Sequence, residues 1–144
     1  MNGDREVHER ALKFNREALM VRLHQLDMRT VIIDYEGRGG IGKVSEPTIE
    51  PEMMARLLKT EKVIQCRVLK RIQDSIVRFE LEESACLLHK SLEDFVLAWV
   101  GQNHPGWERN DGGKGTVTIH VEDNRFELEY EQLHTTSSYH YYVL

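Results

Sequence analysis

The side chains with the most chemical capacity are histidines and carboxylates gathered around one loop. His104, Asp111 and His120 follow Asp34 and Glu36 from an earlier segment, with His134 and His140 further on. Imidazole and carboxylate donors together suit zinc or manganese. A metal held by them could acidify a bound water and serve a hydrolase. The spacing weighs against this. The chain has no HxH or HExxH pair, and no nucleophile is visible beside a His120–Glu127 acid/base couple. The expectation is therefore no cofactor and no resident metal, with His104, Asp111 and His120 as the weak candidates should one bind.

The loop itself is His104-Pro105-Gly106-Trp107-Glu108-Arg109-Asn110-Asp111-Gly112-Gly113-Lys114-Gly115. Its four glycines require repeated turning, and Pro105 moves His104 out of helical geometry, so a helix should end near Asn103. Asn110 and Asp111 are turn formers whose short side chains bond nearby main-chain groups. A Trp in so polar a loop either plugs the edge of the core or offers a stacking face. As candidate binding residues the loop supplies His104, Trp107, Asn110, Asp111 and Gly112.

A second glycine-rich stretch, Gly37-Arg38-Gly39-Gly40-Ile41-Gly42-Lys43-Val44, adds Glu36, Gly37 and Gly39 to the candidates. It satisfies GxGxxG, and all but the last position of the phosphate-loop pattern. Both motifs work only where the loop opens a helix whose N–H groups hold phosphate. Here Pro47 and Pro51 follow closely, Val44-Ser45-Glu46 reads as extended, and Val44 stands where magnesium needs a hydroxyl. The stretch reads as a hairpin turn.

These residues must be positioned by a single domain spanning 1–144, long enough to bury a real core. The net charge of −5 argues against a general nucleic-acid binder. Lys62, Arg67, Lys70, Arg71 and Arg78 could line one face of the middle strands, but acids intersperse them. The charged N-terminus lacks a signal core and no run is long enough to span a membrane, so the expected setting is cytoplasmic. Cys66 and Cys86 are too far apart for a CxxC motif and read as two buried, reduced thiols.

The apolar spacing predicts a helix over about 4–27, with Val7, Ala11, Phe14, Ala18 and Val21 inward, Leu12, Leu19, Leu23 and Leu26 widening the stripe, and Arg16 among the solvent-facing charges. Both His8 and His24 read as rim residues. Alternation predicts strands over 29–36, 64–68 and 77–81, with a turn around Gln73-Asp74. A short helix fits between Glu50 and Thr60, with Pro51 in its first turn and Met53, Met54, Leu57 and Leu58 on its apolar side. A second helix, about 88–103, has Ser91 as a candidate cap. Thr116–Val121 and Phe126–Glu131 then alternate as a hairpin. If Asp123-Asn124 were a two-residue turn, Val121 would face Phe126, Ile119 would face Leu128, Val117 would face Tyr130 and His120 would face Glu127. The segment from Ser138 to Leu144 reads as a last strand. Fold class is α+β, a mainly antiparallel sheet with both helices packed on it.

Three segments together resemble an uncharacterised bacterial family of small proteins. They are Glu36-Gly37-Arg38-Gly39-Gly40-Ile41-Gly42, the Trp107 loop after a Leu-Glu-Asp-Phe helix, and the closing strands. The family carries an acidic-Gly-x-Gly-Asp-Ser-Gly turn and a Gly-Trp-Glu-x-Asn-Asp-Gly loop. This chain departs at Gly40, where the family has Asp, and at Ile41, where it has Ser. The resemblance supports the order of elements and makes the two loops landmarks. It carries no reaction. The functional expectation is a non-catalytic interaction or ligand-binding module, its partner another protein or a small ligand. A metal-dependent hydrolase near residues 104–120 and a nucleic-acid-associated protein are the alternatives.

Overall fold

Val31, Ile33 and Tyr35 alternate with polar or half-buried residues and are buried, as expected of an interior strand, here β1 (Thr30–Arg38). A computed structural model describes residues 2–109, 111–133 and 138–144. One edge of β1 pairs antiparallel with β2 (Ile41–Val44) at one end and β3 (Thr48–Glu50) at the other. Its other edge pairs with β6 (Gly113–His120), followed by β7 (Arg125–Gln132) and β8 (Ser138–Val143). The order is β2-β1-β6-β7-β8, antiparallel throughout. A separate two-stranded sheet is formed by β4 (Lys62–Gln73) and β5 (Ile76–Leu87).

Two helices cover one face of the large sheet. From α1 (Asn2–Gln25) come Leu12, Leu19, Met20 and Leu23; from α2 (Leu88–Asn103) come Leu92, Phe95, Val96, Trp99 and Val100. They meet Val117, Ile119, Phe126 and Leu128 of the sheet, with Phe95 and Trp99 tilted onto the Phe126 ring. The opposite face carries rows of polar side chains, such as Asp34–Thr116–Glu129–Tyr141 and Glu36–Lys114–Glu131–Tyr139. One dry and one wet face is what the alternation predicts, and the α+β class stands.

Several local expectations are corrected. The β6–β7 hairpin has a four-residue connection, Val121–Asn124, with Asn124 at φ 51°. The register therefore pairs Ile119 with Phe126, Val117 with Leu128, Gly115 with Tyr130 and His120 with Arg125. Val121 leaves the hairpin because its N–H bonds Arg29 O (2.9 Å). A slip of two residues keeps every side chain on its face, so the core is unchanged. In α1 the stripe passes through Leu19, Met20 and Leu23 and leaves Val21 exposed. Arg16, expected in solvent, is only 9% exposed. Its guanidinium lies over Phe126, 4.8 Å from the ring centre, and donates to Asn124 Oδ1, Asn124 O and Leu144 O. A long cationic side chain can bury its stem while its head finds carbonyls at the sheet rim.

Ser91 is no cap. It lies one turn inside α2 and its hydroxyl donates back to Leu87 O (3.0 Å). The segment after Pro51 is a 3₁₀ helix, Glu52–Lys59, with Pro51 as its N-cap residue; Leu58 is buried and Met53 is exposed. Cys66 is buried, but Cys86 is only half-buried; both thiols are free.

The β4–β5 ribbon is longer than the alternation suggests. Its base is held by hydrogen bonds, and further out Phe79 meets the His8 ring of α1 edge-on at 6.5 Å. Asn15 of α1 grips Cys66 with its amide, Nδ2 donating to Cys66 O (2.8 Å) and Oδ1 accepting from Cys66 N–H (2.6 Å). Arg22 Nε likewise donates to Lys62 O (2.8 Å). Beyond that the ribbon runs out to a two-residue turn, Asp74-Ser75, both residues at positive φ as mirror-image hairpin turns require. Ile72, Ile76 and Val77 at its far end are 68%, 61% and 48% exposed.

Candidate functional site

The two glycine-rich loops meet, and the meeting is built from residue size. Gly39 (φ 62°) and Gly40 (φ 86°) close the β1–β2 hairpin, a turn that β-carbons would strain. Gly40 N–H then donates to Glu108 O (2.8 Å) in the Trp107 loop. That loop descends from α2 in successive turns, Trp107 N–H to His104 O, Arg109 N–H to Gly106 O and Gly112 N–H to Arg109 O. The Trp107 ring lies where side chains on Gly37 and Gly42 would be: a β-carbon on Gly42 would come within 2.9 Å of Cζ2. Tyr35 meets the ring edge-on at 5.5 Å. Trp107 is 5% exposed, so of the two roles open to it, it plugs the core edge and offers no free stacking face.

Around this junction the candidate residues separate by face. Gly37 and Gly112 pack backbone to backbone, and Gly112 O accepts from Leu133 N–H and Gln132 Nε2 (both 2.9 Å). Asp111 and Gly39 are exposed. Asn110 and the reserve residue His134 lie outside the described residues. Glu36 points to the wet face, where a shallow cavity of about 360 Å³ is lined by Asp34, Glu36, Lys114, Thr116, Glu129 and Tyr139; Thr116 Oγ1 donates to Asp34 Oδ1 (2.7 Å).

His104 is on the core side. Its ring stacks on Tyr130 at 3.8 Å and 13°, with His140 at 5.0 Å and Tyr142 at 5.4 Å. His104 Nε2 is buried without a hydrogen-bond partner among the described residues. Burial, and then the neighbouring His140, lower the pKa of this imidazole. Burial raises Tyr130, whose hydroxyl donates to Gln132 Oε1 (2.6 Å), and pushes Tyr35 far above the usual phenol range. Both shifts favour the uncharged forms of His104 and Tyr130, whose contact is one of stacking. Tyr130 and Tyr142 are strand residues in the sequence analysis but are not among its candidate site residues. The signal was their shared parity on neighbouring strands, since Tyr130 pairs with His140.

The weak metal candidates do not converge. His120 is at the far end of β6 from Asp111, roughly 20 Å along an eight-residue strand. It sits near Glu127 (3.3 Å), which Arg125 also bridges (2.8 Å). Among the described residues no three His, Cys, Asp or Glu side chains are grouped to hold an ion. The basic residues also divide. Arg67 and Arg71 pair with Glu82 and Glu80 on one face of the ribbon, and Lys62 and Lys70 have the other parity. A larger cavity, about 1010 Å³, is elsewhere, between the first half of α1 and the end of α2 over Leu12 and Trp99. No described helix is long and apolar enough to cross a membrane.

Comparison with curated proteins and with solved structures finds no match. Residues 11–144 match a family described as of unknown function, DUF6878, and with nearly its whole length covered the chain belongs to that family.

Proposed function

We propose that the protein is a non-catalytic protein-interaction module whose contact surface is the outer half of the β4–β5 ribbon. The observation that carries this is the exposure of Ile72, Ile76 and Val77 at the end of a ribbon that the core does not cover. A two-stranded ribbon alone is marginal in water, and exposed aliphatics on a projecting element mark a contact. The glycine-rich loops fit a supporting role, because their special residues are spent on packing Trp107. A bacterial cytoplasmic setting belongs to this reading. It rests on the family resemblance and on two unpaired thiols.

In-cell photocrosslinking tests it. A photoreactive residue at Val77 should give reproducible crosslinked species, and one at exposed Lys13 of α1 should not. Absence of any crosslink from Val77, or equal yields from both positions, would overturn the reading.

A further inference from the structure

The two edges of the β4–β5 ribbon differ in how their main-chain groups are met. Asn15 bonds both the N–H and the C=O of Cys66, so both groups point away from β5. Strand geometry then fixes the rest: even-numbered residues of β4, and their odd-numbered partners on β5, point outward. On the outer part of β5 these are Val77, Phe79, Leu81 and Glu83. Among the described residues no side chain or strand meets their outward groups, whereas α1 covers the matching edge of β4 near its base.

The sequence on that open edge is self-complementary. In Ile76-Val77-Arg78-Phe79-Glu80-Leu81-Glu82, an antiparallel copy centred on Phe79 sets Arg78 against Glu80, Val77 against Leu81 and Phe79 against itself. The hydrogen-bond phase agrees, since every outward-pointing residue then meets an outward-pointing residue. Centring on Arg78 or Glu80 keeps the phase but sets Arg78 or Glu80 against its own copy. Within the chain Arg78 is directly opposite Arg71, a like-charged cross-strand pair, and Glu80 bonds Arg71 (2.7 Å). Among the described residues no carboxylate pairs with Arg78, and a second Glu80 beside it would supply one.

We propose that the open edge of β5 pairs antiparallel with the same edge of a second copy of this chain, across a two-fold axis at Phe79. The proposal names a partner for the contact surface proposed above, and rests on that reading. Pairing joins two ribbons into a four-stranded sheet and removes an exposed edge from each. Arg78 meets Glu80 twice on one face, and Val77 meets Leu81 twice on the other.

Sedimentation equilibrium of the full chain tests it, with circular dichroism to establish that each variant folds. The wild-type chain should dimerise. Arg78→Glu and Glu80→Arg should each weaken dimerisation roughly tenfold or more, because both cross-strand pairs become repulsive. The double variant should restore it. Val77→Pro, which removes an outward N–H and no bond within the ribbon, should weaken it independently. A wild-type chain still monomeric at roughly 100 μM, far above a micromolar Kd, would overturn the proposal. So would a dimer that both single charge variants leave unchanged. A monomer whose Val77 crosslinks to other proteins would overturn self-pairing and leave the interaction reading standing.

Discussion

Replacing Gly42 by Ala tests whether Trp107 really locks the two loops together. In an open strand this exchange stabilises by roughly 0.5–1 kcal/mol, because glycine gives up more backbone freedom on folding. Here the new β-carbon would stand 2.9 Å from Cζ2 and 3.1 Å from Cη2 of Trp107, and 3.5 Å from Leu97 Cδ2. The indole is boxed by Tyr35 and the Gly37 backbone, so it has nowhere to swing. Overpacking of this kind costs about 1–3 kcal/mol, which leaves a net loss of up to about 2.5 kcal/mol. Trp107→Phe removes the obstructing part of the ring and costs about 1–3 kcal/mol by itself. In that background the methyl group enters vacated space, and Gly42→Ala becomes neutral or mildly stabilising. Urea unfolding followed by circular dichroism across the four-member cycle should give a favourable coupling of about 1–3 kcal/mol, the overpacking cost that the smaller ring relieves. Gly42→Ala stabilising the native background, or effects additive within about 0.5 kcal/mol, would refute the wedge.

Arg16→Met keeps the aliphatic stem over Phe126 but loses the bonds to Asn124, and should cost about 1.5–3 kcal/mol in urea unfolding. Asn15→Ala removes the grip on Cys66 and should cost about 1–2 kcal/mol, with Asn15→Asp, which still accepts from the Cys66 N–H, falling between. The folded chain holds His104 below its ordinary value of 6.5, so it resists a proton that the unfolded chain accepts. This part of the stability is complete above 6.5 and shrinks as pH falls below it, so the urea midpoint should drop from pH 7 to pH 5. In His104→Phe, which keeps a ring on Tyr130, that drop should be smaller; an unchanged slope would show that other groups cause it.

Which features could be read in advance follows from the range of the interactions. The dry and wet faces of β1, β6 and β7 were legible because alternation is local, and the helices because their apolar spacing is. The register of the last hairpin was not. Val121 looks like a strand residue in sequence, and only its bond to Arg29 O, made far along the chain, takes it out. Arg16 was invisible for a similar reason: an arginine reads as solvent-facing until carbonyls and an aromatic ring are known to sit beneath it. The ribbon was read short because Lys70, Arg71 and Gln73 bury nothing and so carry no periodic signal. The turning of both loops was plain from their glycines. Their meeting was not, since it depends on β1 and β6 pairing side by side.

That pairing shapes how the molecule is made. Val31 is bonded opposite Ile119, so at a synthesis rate of about 5–20 residues per second the earlier strand waits roughly 4–18 s for its neighbour to leave the ribosome. During that interval β1 has only the short strands β2 and β3 along one edge, and the edge that β6 will take stays open, while α1 and the β4–β5 ribbon can form from nearby residues. The nascent chain is thus most exposed to premature association in its first third, and slowing translation between residues 40 and 110 should lower the yield of native protein more than slowing it later.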